Sequence, residues 1–177
     1  MGKSSLPKVH RYSMHFKATA VRLSDLPDVL IQDVAEALDI HPFMLSRWRK
    51  QAREGLIVTK GVKLDGDIYL FKGDEFGLNL DIQDSSIRTV KYQPDVKMAD
   101  VTLKFTQEVQ HDGTALMMLH SHNTTKHTLN VDALMTVPGR KEIAKTSILP
   151  VRPGLSGFES WHHPIVLLVL RNIRIAK

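Results

Sequence analysis

Residues 41–63 hold six basic side chains, Arg47, Arg49, Lys50, Arg53, Lys60 and Lys63, against a single acid, Glu54. Trp48 stands among them. Clustered Arg and Lys suit polyanions, because guanidinium and ammonium groups pair with phosphate oxygens and with the acceptor edge of guanine. A solvated helix has no need of a tryptophan, and a core helix does not tolerate four cations. The mixture requires a segment that packs one face inward and offers the other to a charged partner.

The histidines are the second chemical candidate. His120, His122 and His127 lie in "HSHNTTKH", and His162 and His163 in "WHHP". A His-x-His pair on a strand sets both imidazoles on one face, a spacing used by zinc and copper sites. No nearby acid completes a shell and there is no cysteine. His120 and His122 are therefore metal candidates only, and neither a metal nor another cofactor is expected.

The rest of the composition narrows the setting. A chain of 177 residues with 42% hydrophobic content can fill one ordinary domain or two small ones. The absence of cysteine excludes disulfides and thiolate sites and fits a reducing cytoplasm. The first residues, "MGKSSLPKVHRYSMHFK", lack the apolar stretch of a secretory signal. The run "PIVLLVL" at 164–170 is too short to span a bilayer, so no membrane partner is expected. The net charge of +5 is concentrated: residues 1–65 carry 11 Lys/Arg and 7 Asp/Glu.

The elements that must position the basic cluster read as helices. Ser13 can cap a first helix over "YSMHFKATAVRLS", with Phe16, Ala20 and Leu23 at helical spacing. Pro27 breaks it. Ile31, Val34, Ala35 and Leu38 form the apolar face of a second helix. After the turn "DIH", Pro42 opens a third, with Leu45, Trp48 and Ala52 on one face and Gly55 as its C-terminal stop. Three short helices, the third basic and preceded by a tight turn, form a helix-turn-helix that faces double-stranded DNA. Ser46, Arg47 and Lys50 are expected at the groove, with His41, Pro42 and Phe43 at the helix start. Arg11, Lys17, Arg49 and Arg53 are expected at phosphates. The helix-turn-helix core is expected to comprise Phe16, Val34, Ala35, Leu38, Ile40, Leu45 and Trp48.

The period changes to two beyond about Gly61. Val101, Leu103 and Phe105 alternate with polar neighbours, as do Leu129, Val131, Ala133 and Met135. Seven or eight strands are expected, near 67–72, 76–83, 87–92, 100–109, 114–121, 127–136, 143–149 and 164–175. "PVRPGLSGFESWHHP", 150–164, reads as a stiff loop in which Phe158 and Trp161 close the end of the fold or form a binding surface. "LMML" at 116–119 reads as a fully buried strand. The fold class expected is α plus all-β in two domains: a three-helix unit at 1–62, a linker at about 59–66, and an antiparallel β-sandwich at 66–177.

The stretch from Tyr12-Ser13 and Phe16-Lys17 through Ala20-Val21, Val34-Ala35, Leu38, Ile40 and Leu45 to Trp48 with its basic neighbours resembles OrfA. OrfA is the first-reading-frame protein of two-frame bacterial insertion-sequence transposases. The resemblance covers residues 11–65. It implies sequence-specific binding to the terminal repeats of a mobile element during DNA transposition. It also implies a separate second-frame subunit that carries the nuclease, an RNase-H-like domain with two Asp and one Glu. That catalytic set cannot be placed in this chain, so no enzyme is expected.

Two departures from the family stand out. Leu30 occupies a position where the family often has a capping Ser or Thr, leaving Asp28 as a displaced cap. After Asp65 the family's leucine-bearing coiled coil is missing, which puts oligomerisation in doubt. The second half resembles no family, and the whole reads as a truncated or chimeric OrfA joined to an unrelated β-domain. The alternative is a β-sandwich that binds a protein, sugar or metal behind a vestigial helical segment.

Overall fold

The computed structural model describes residues 12–57, 59, 61–62, 66–140 and 142–176. Arg11 and much of the expected linker lie outside the described residues. The backbone divides into two compact units, with the division after Thr59. No helix among the described residues is long and apolar enough to cross a membrane.

The first unit contains α1 (Met14–Ser24), α2 (Ile31–Ala37) and α3 (Pro42–Arg53). The Phe16 amide donates to the Ser13 hydroxyl at 3.1 Å and so starts α1. Helix α2 begins at Leu30 with no side-chain cap. Asp28 does not replace it; its backbone turns through φ +60° in the loop before the helix. Asp33 in the first turn faces the positive end of the α2 dipole.

Both α2 and α3 end in the same hydrogen-bond pattern. The Ile40 amide donates to the Ala35 carbonyl (2.9 Å) and the Asp39 amide to Glu36 (3.1 Å). At the end of α3 the Leu56 amide donates to Gln51 (2.8 Å) and the Gly55 amide to Ala52 (3.1 Å). These are Schellman caps, which need a left-handed residue after the helix. Gly55 takes it at φ +75°, and Asp39 takes it at φ +51°. Asp39 thereby turns the chain so that Ile40 is buried and α3 can start two residues later.

The three helices pack on one another around Ala18, Ala20, Val21, Val34, Ala35, Ile40, Leu45, Trp48 and Ile57, all buried. Phe16 and Leu38 are half-buried. Phe16 stacks on Tyr12 (5.1 Å between centroids), and both meet Trp48 edge-on at 6.0 and 5.2 Å.

The second unit is an antiparallel sandwich. Its strands are β1 (Gly61–Val62), β2 (Ile68–Leu70), β3 (Glu75–Gln83), β4 (Ser86–Gln93), β5 (Val101–Val109), β6 (Ala115–Asn123), β7 (Leu129–Thr136), β8 (Ala144–Thr146), β9 (Ser156–Trp161) and β10 (Leu167–Ile175). One sheet has the order β1-β2-β10-β7-β8 and the other β4-β3-β5-β6-β9. Phe76, Leu78, Val101, Leu103, Phe105, Met117 and Leu119 of one sheet meet Ile68, Leu70, Leu129, Ala133, Leu168 and Leu170 of the other. These residues recur at every second position, which is why the sequence alternates.

Three expectations are corrected here. The described residues form ten strands, against seven or eight expected. The additions are the two-residue β1 and β9, which lies inside the stretch read as a loop. Phe158 and Trp161 do not act together. Trp161 is in the core, edge-on to Phe105 at 6.3 Å, with its indole N–H donated to the Thr146 hydroxyl (2.9 Å). Phe158 points out and is 73% exposed. The run "LMML" is not buried throughout: Met117 and Leu119 are buried, while Leu116 and Met118 are half-buried.

Candidate nucleic-acid interface

Helix α3 sorts its residues by angle. Leu45 and Trp48 are buried, with Met44, Arg49 and Ala52 half-buried beside them. Phe43, Ser46, Arg47 and Lys50 are exposed and fall at i, i+3, i+4 and i+7, one stripe along the opposite face. Arg53 is exposed one turn beyond Lys50.

The start of this helix is built by two residues. His41 is the N-cap, and its Nδ1 accepts the Phe43 amide at 3.1 Å. A ring nitrogen accepts only without a proton, so this cap uses the neutral imidazole with hydrogen on Nε2. Pro42 at the first helical position gives up no bond, because that amide has no partner in a helix. His41 and Pro42 are both exposed.

The basic residues separate into two groups. Arg49 turns back to α1: one guanidinium nitrogen is 3.2 Å from the Asp25 carboxylate and another donates to the Ser24 carbonyl at 3.5 Å. It holds α3 against the C-terminal end of α1, where the expectation placed it at a phosphate. Lys17 lies with its ammonium 5.9 Å from the centre of the Trp48 ring, a cation–π distance, and is half-buried. Lys50 stays on the outer stripe, 3.8 Å from Glu54 one turn on. At such exposure this pair contributes little and yields readily to a stronger anion. Arg47 and Arg53 project from the outer face.

The spacing could have revealed the role of Arg49, which follows Leu45 by four residues and so lies on the inward edge of the wheel. Tyr12, absent from the expected core, was legible as the i, i+4 partner of Phe16. Asp25 had no signal, because its partner is 24 positions away in the chain.

The histidines of β6 lie on the outer face of their sheet. The His120 ring stacks on Phe158, 4.4 Å between centroids and 8° from parallel. The His122 Nδ1 is 3.1 Å from the Ser156 hydroxyl. Among the described residues no group of three His, Cys, Asp or Glu side chains is placed to hold a metal ion.

A three-helix unit with a tight turn before a basic, outward-facing helix is a helix-turn-helix. A family model described as Transposase, of the helix-turn-helix type, matches residues 8–64. This segment is thus a transposase-type helix-turn-helix, a DNA-binding unit, and the match does not extend to a catalytic domain. No curated protein and no solved structure matches the chain.

Proposed function

We propose that the chain binds the terminal inverted repeats of an insertion element through α3, as an OrfA-type first-frame protein of a bacterial two-frame transposase. The exposed stripe Phe43, Ser46, Arg47 and Lys50 carries this reading. It presents cations and a hydroxyl on the face opposite Trp48, within a segment matched by the transposase family. Ser46, Arg47 and Lys50 enter the major groove, where Arg pairs with the O6 and N7 of guanine. Arg53 meets a phosphate, and Arg11 is the further phosphate contact of this reading. Arg49, already bonded to Asp25, fixes the angle at which α3 is presented.

Residues 1–62 act as the DNA-binding domain in this reading, in the cytoplasm where the DNA lies. The β-domain is an unrelated module joined to it, making the protein a chimera. Chain cleavage then falls to a second-frame subunit. From Ile68 onward the chain forms strands where the family has a coiled coil.

The test is a competition. Labelled duplex bearing the repeats that flank the gene is displaced by unlabelled repeat or by scrambled duplex of equal length and composition. Displacement at least tenfold more effective by the repeat supports the reading. Equal displacement removes it.

A further inference from the structure

The outer stripe of α3 contains a residue that phosphate binding does not explain. Phe43 is 71% exposed, in the first turn of α3, on the same face as Ser46, Arg47 and Lys50. Its amide is fixed by the His41 cap, so the position of the residue at the helix start is set by the backbone. A phosphate backbone offers such a ring nothing, since its surface is charged and hydrated. Among the base-edge groups of the major groove, one is apolar, the C5-methyl of thymine. The N-terminal turn of the second helix of a helix-turn-helix is the part that reaches base edges.

We infer that Phe43 reads a thymine methyl, and that the DNA site therefore contains a thymine close to the guanine read by Arg47. The inference rests on the DNA-binding reading above and adds the chemical identity of part of the target. Phe43 and Arg47 are four residues apart on one helix face, about 6 Å of rise at 1.5 Å per residue. That is less than two base-pair steps of about 3.4 Å. The thymine and the guanine thus belong to different base pairs no more than two steps apart. Contact with the ring buries a methyl and removes apolar area from a face otherwise open to water. Arg47 and Lys50 beside it supply the charge that holds the helix in the groove.

The experiment uses the full chain and a library of random duplexes, with several rounds of selection and sequencing. The enriched duplex is then remade with deoxyuridine at one thymine at a time, which removes only the methyl. The expected result is an enriched thymine within two base pairs of a guanine, with binding about fourfold weaker after its replacement by uracil. That factor is what ~0.8 kcal/mol per buried methyl or methylene gives. Phe43→Ala, at an exposed position that leaves the helical circular dichroism unchanged, binds thymine and uracil duplexes equally. An enriched site indifferent to uracil at every thymine overturns the inference and leaves DNA binding standing. So does a uracil penalty that persists in Phe43→Ala. Failure to enrich any sequence removes both the inference and the reading beneath it.

Discussion

Arg49 and Asp25 face each other at 3.2 Å, joining the middle of α3 to the residue that closes α1. The guanidinium also reaches the Ser24 carbonyl, so one basic side chain of α3 serves the fold. Its neighbours Arg47 and Lys50 remain on the outer face. The division follows from helix geometry: position 49 shares the inward side with Leu45 and Ala52, while 47 and 50 do not.

This ion pair is partly exposed, with side chains 27% and 50% accessible, so its contribution is modest. A double-mutant cycle with Arg49→Ala and Asp25→Ala in urea denaturation should give a coupling of about 0.3–1 kcal/mol. A coupling of zero would mean that the contact does not hold α3.

Trp48 is the centre of the helical core, touching Tyr12 and Phe16 with Lys17 above it. Trp48→Ala should destabilise this unit by about 3–5 kcal/mol, the usual range for a buried aromatic. Urea unfolding followed by far-ultraviolet circular dichroism should show the helical transition at lower denaturant and the sandwich transition unmoved.

The β3–β4 hairpin turns through Asp84 and Ser85, both at positive φ (49° and 56°), between the paired residues Gln83 and Ser86. Two left-handed residues define a type I′ turn, whose second position favours glycine. Ser85→Gly should raise stability by about 0.5–1 kcal/mol, the relief of left-handed strain less the greater freedom of the unfolded glycine. Thermal unfolding checks this, and a loss of stability would count against the turn geometry.

The Thr114 hydroxyl and amide donate to the Asp112 carboxylate at 2.6 and 2.9 Å, and hold its pKa below the ordinary 3.8. A carboxylate with a depressed folded pKa stabilises the protein above its unfolded value. That stability is lost as pH falls through the folded value. Asp112→Asn should therefore be less stable than the unaltered chain at pH 5–7, and the two should converge below the ordinary carboxylate range. Parallel stability curves down to pH 2 would contradict the assignment.

Much of this fold was legible because hydrophobic period and chain-breaking residues agree. Pro42 and Gly55 bracket α3, and the alternation of Val101, Leu103 and Phe105 gave β5. What escaped has physical causes. Strand β9 is a sheet edge whose inward positions are Gly157, Glu159 and Trp161 and whose Phe158 faces out, so it shows no apolar alternation. Strand β10, expected at 164–175, was legible by a continuous apolar run instead of alternation, because it is buried on both faces from Leu167 to Leu170. Asp39 and Ser85 hold left-handed conformations usually given to glycine or asparagine, and their types do not announce it. On α3, the outward stripe followed from helical spacing. The inward turn of Arg49 followed from the same spacing, but its partner Asp25, distant in sequence, did not.

In the proposed binding mode the outer face of α3 meets DNA and Arg49 supports it. The most direct test is fluorescence anisotropy on the repeat duplex across a salt series, for the unaltered chain, Arg47→Ala/Lys50→Ala, Arg53→Ala and Arg49→Ala. Steep salt dependence is expected for the unaltered chain, with loss of preference for the repeat in the double variant. Arg53→Ala should lower the slope by about 0.9, one phosphate contact. Arg49→Ala, at a temperature where it is folded, should retain the slope, because Arg49 is bonded to Asp25 and meets no phosphate. Equal binding of repeat and scrambled duplex by the unaltered chain, or a double variant that keeps its preference, would contradict it.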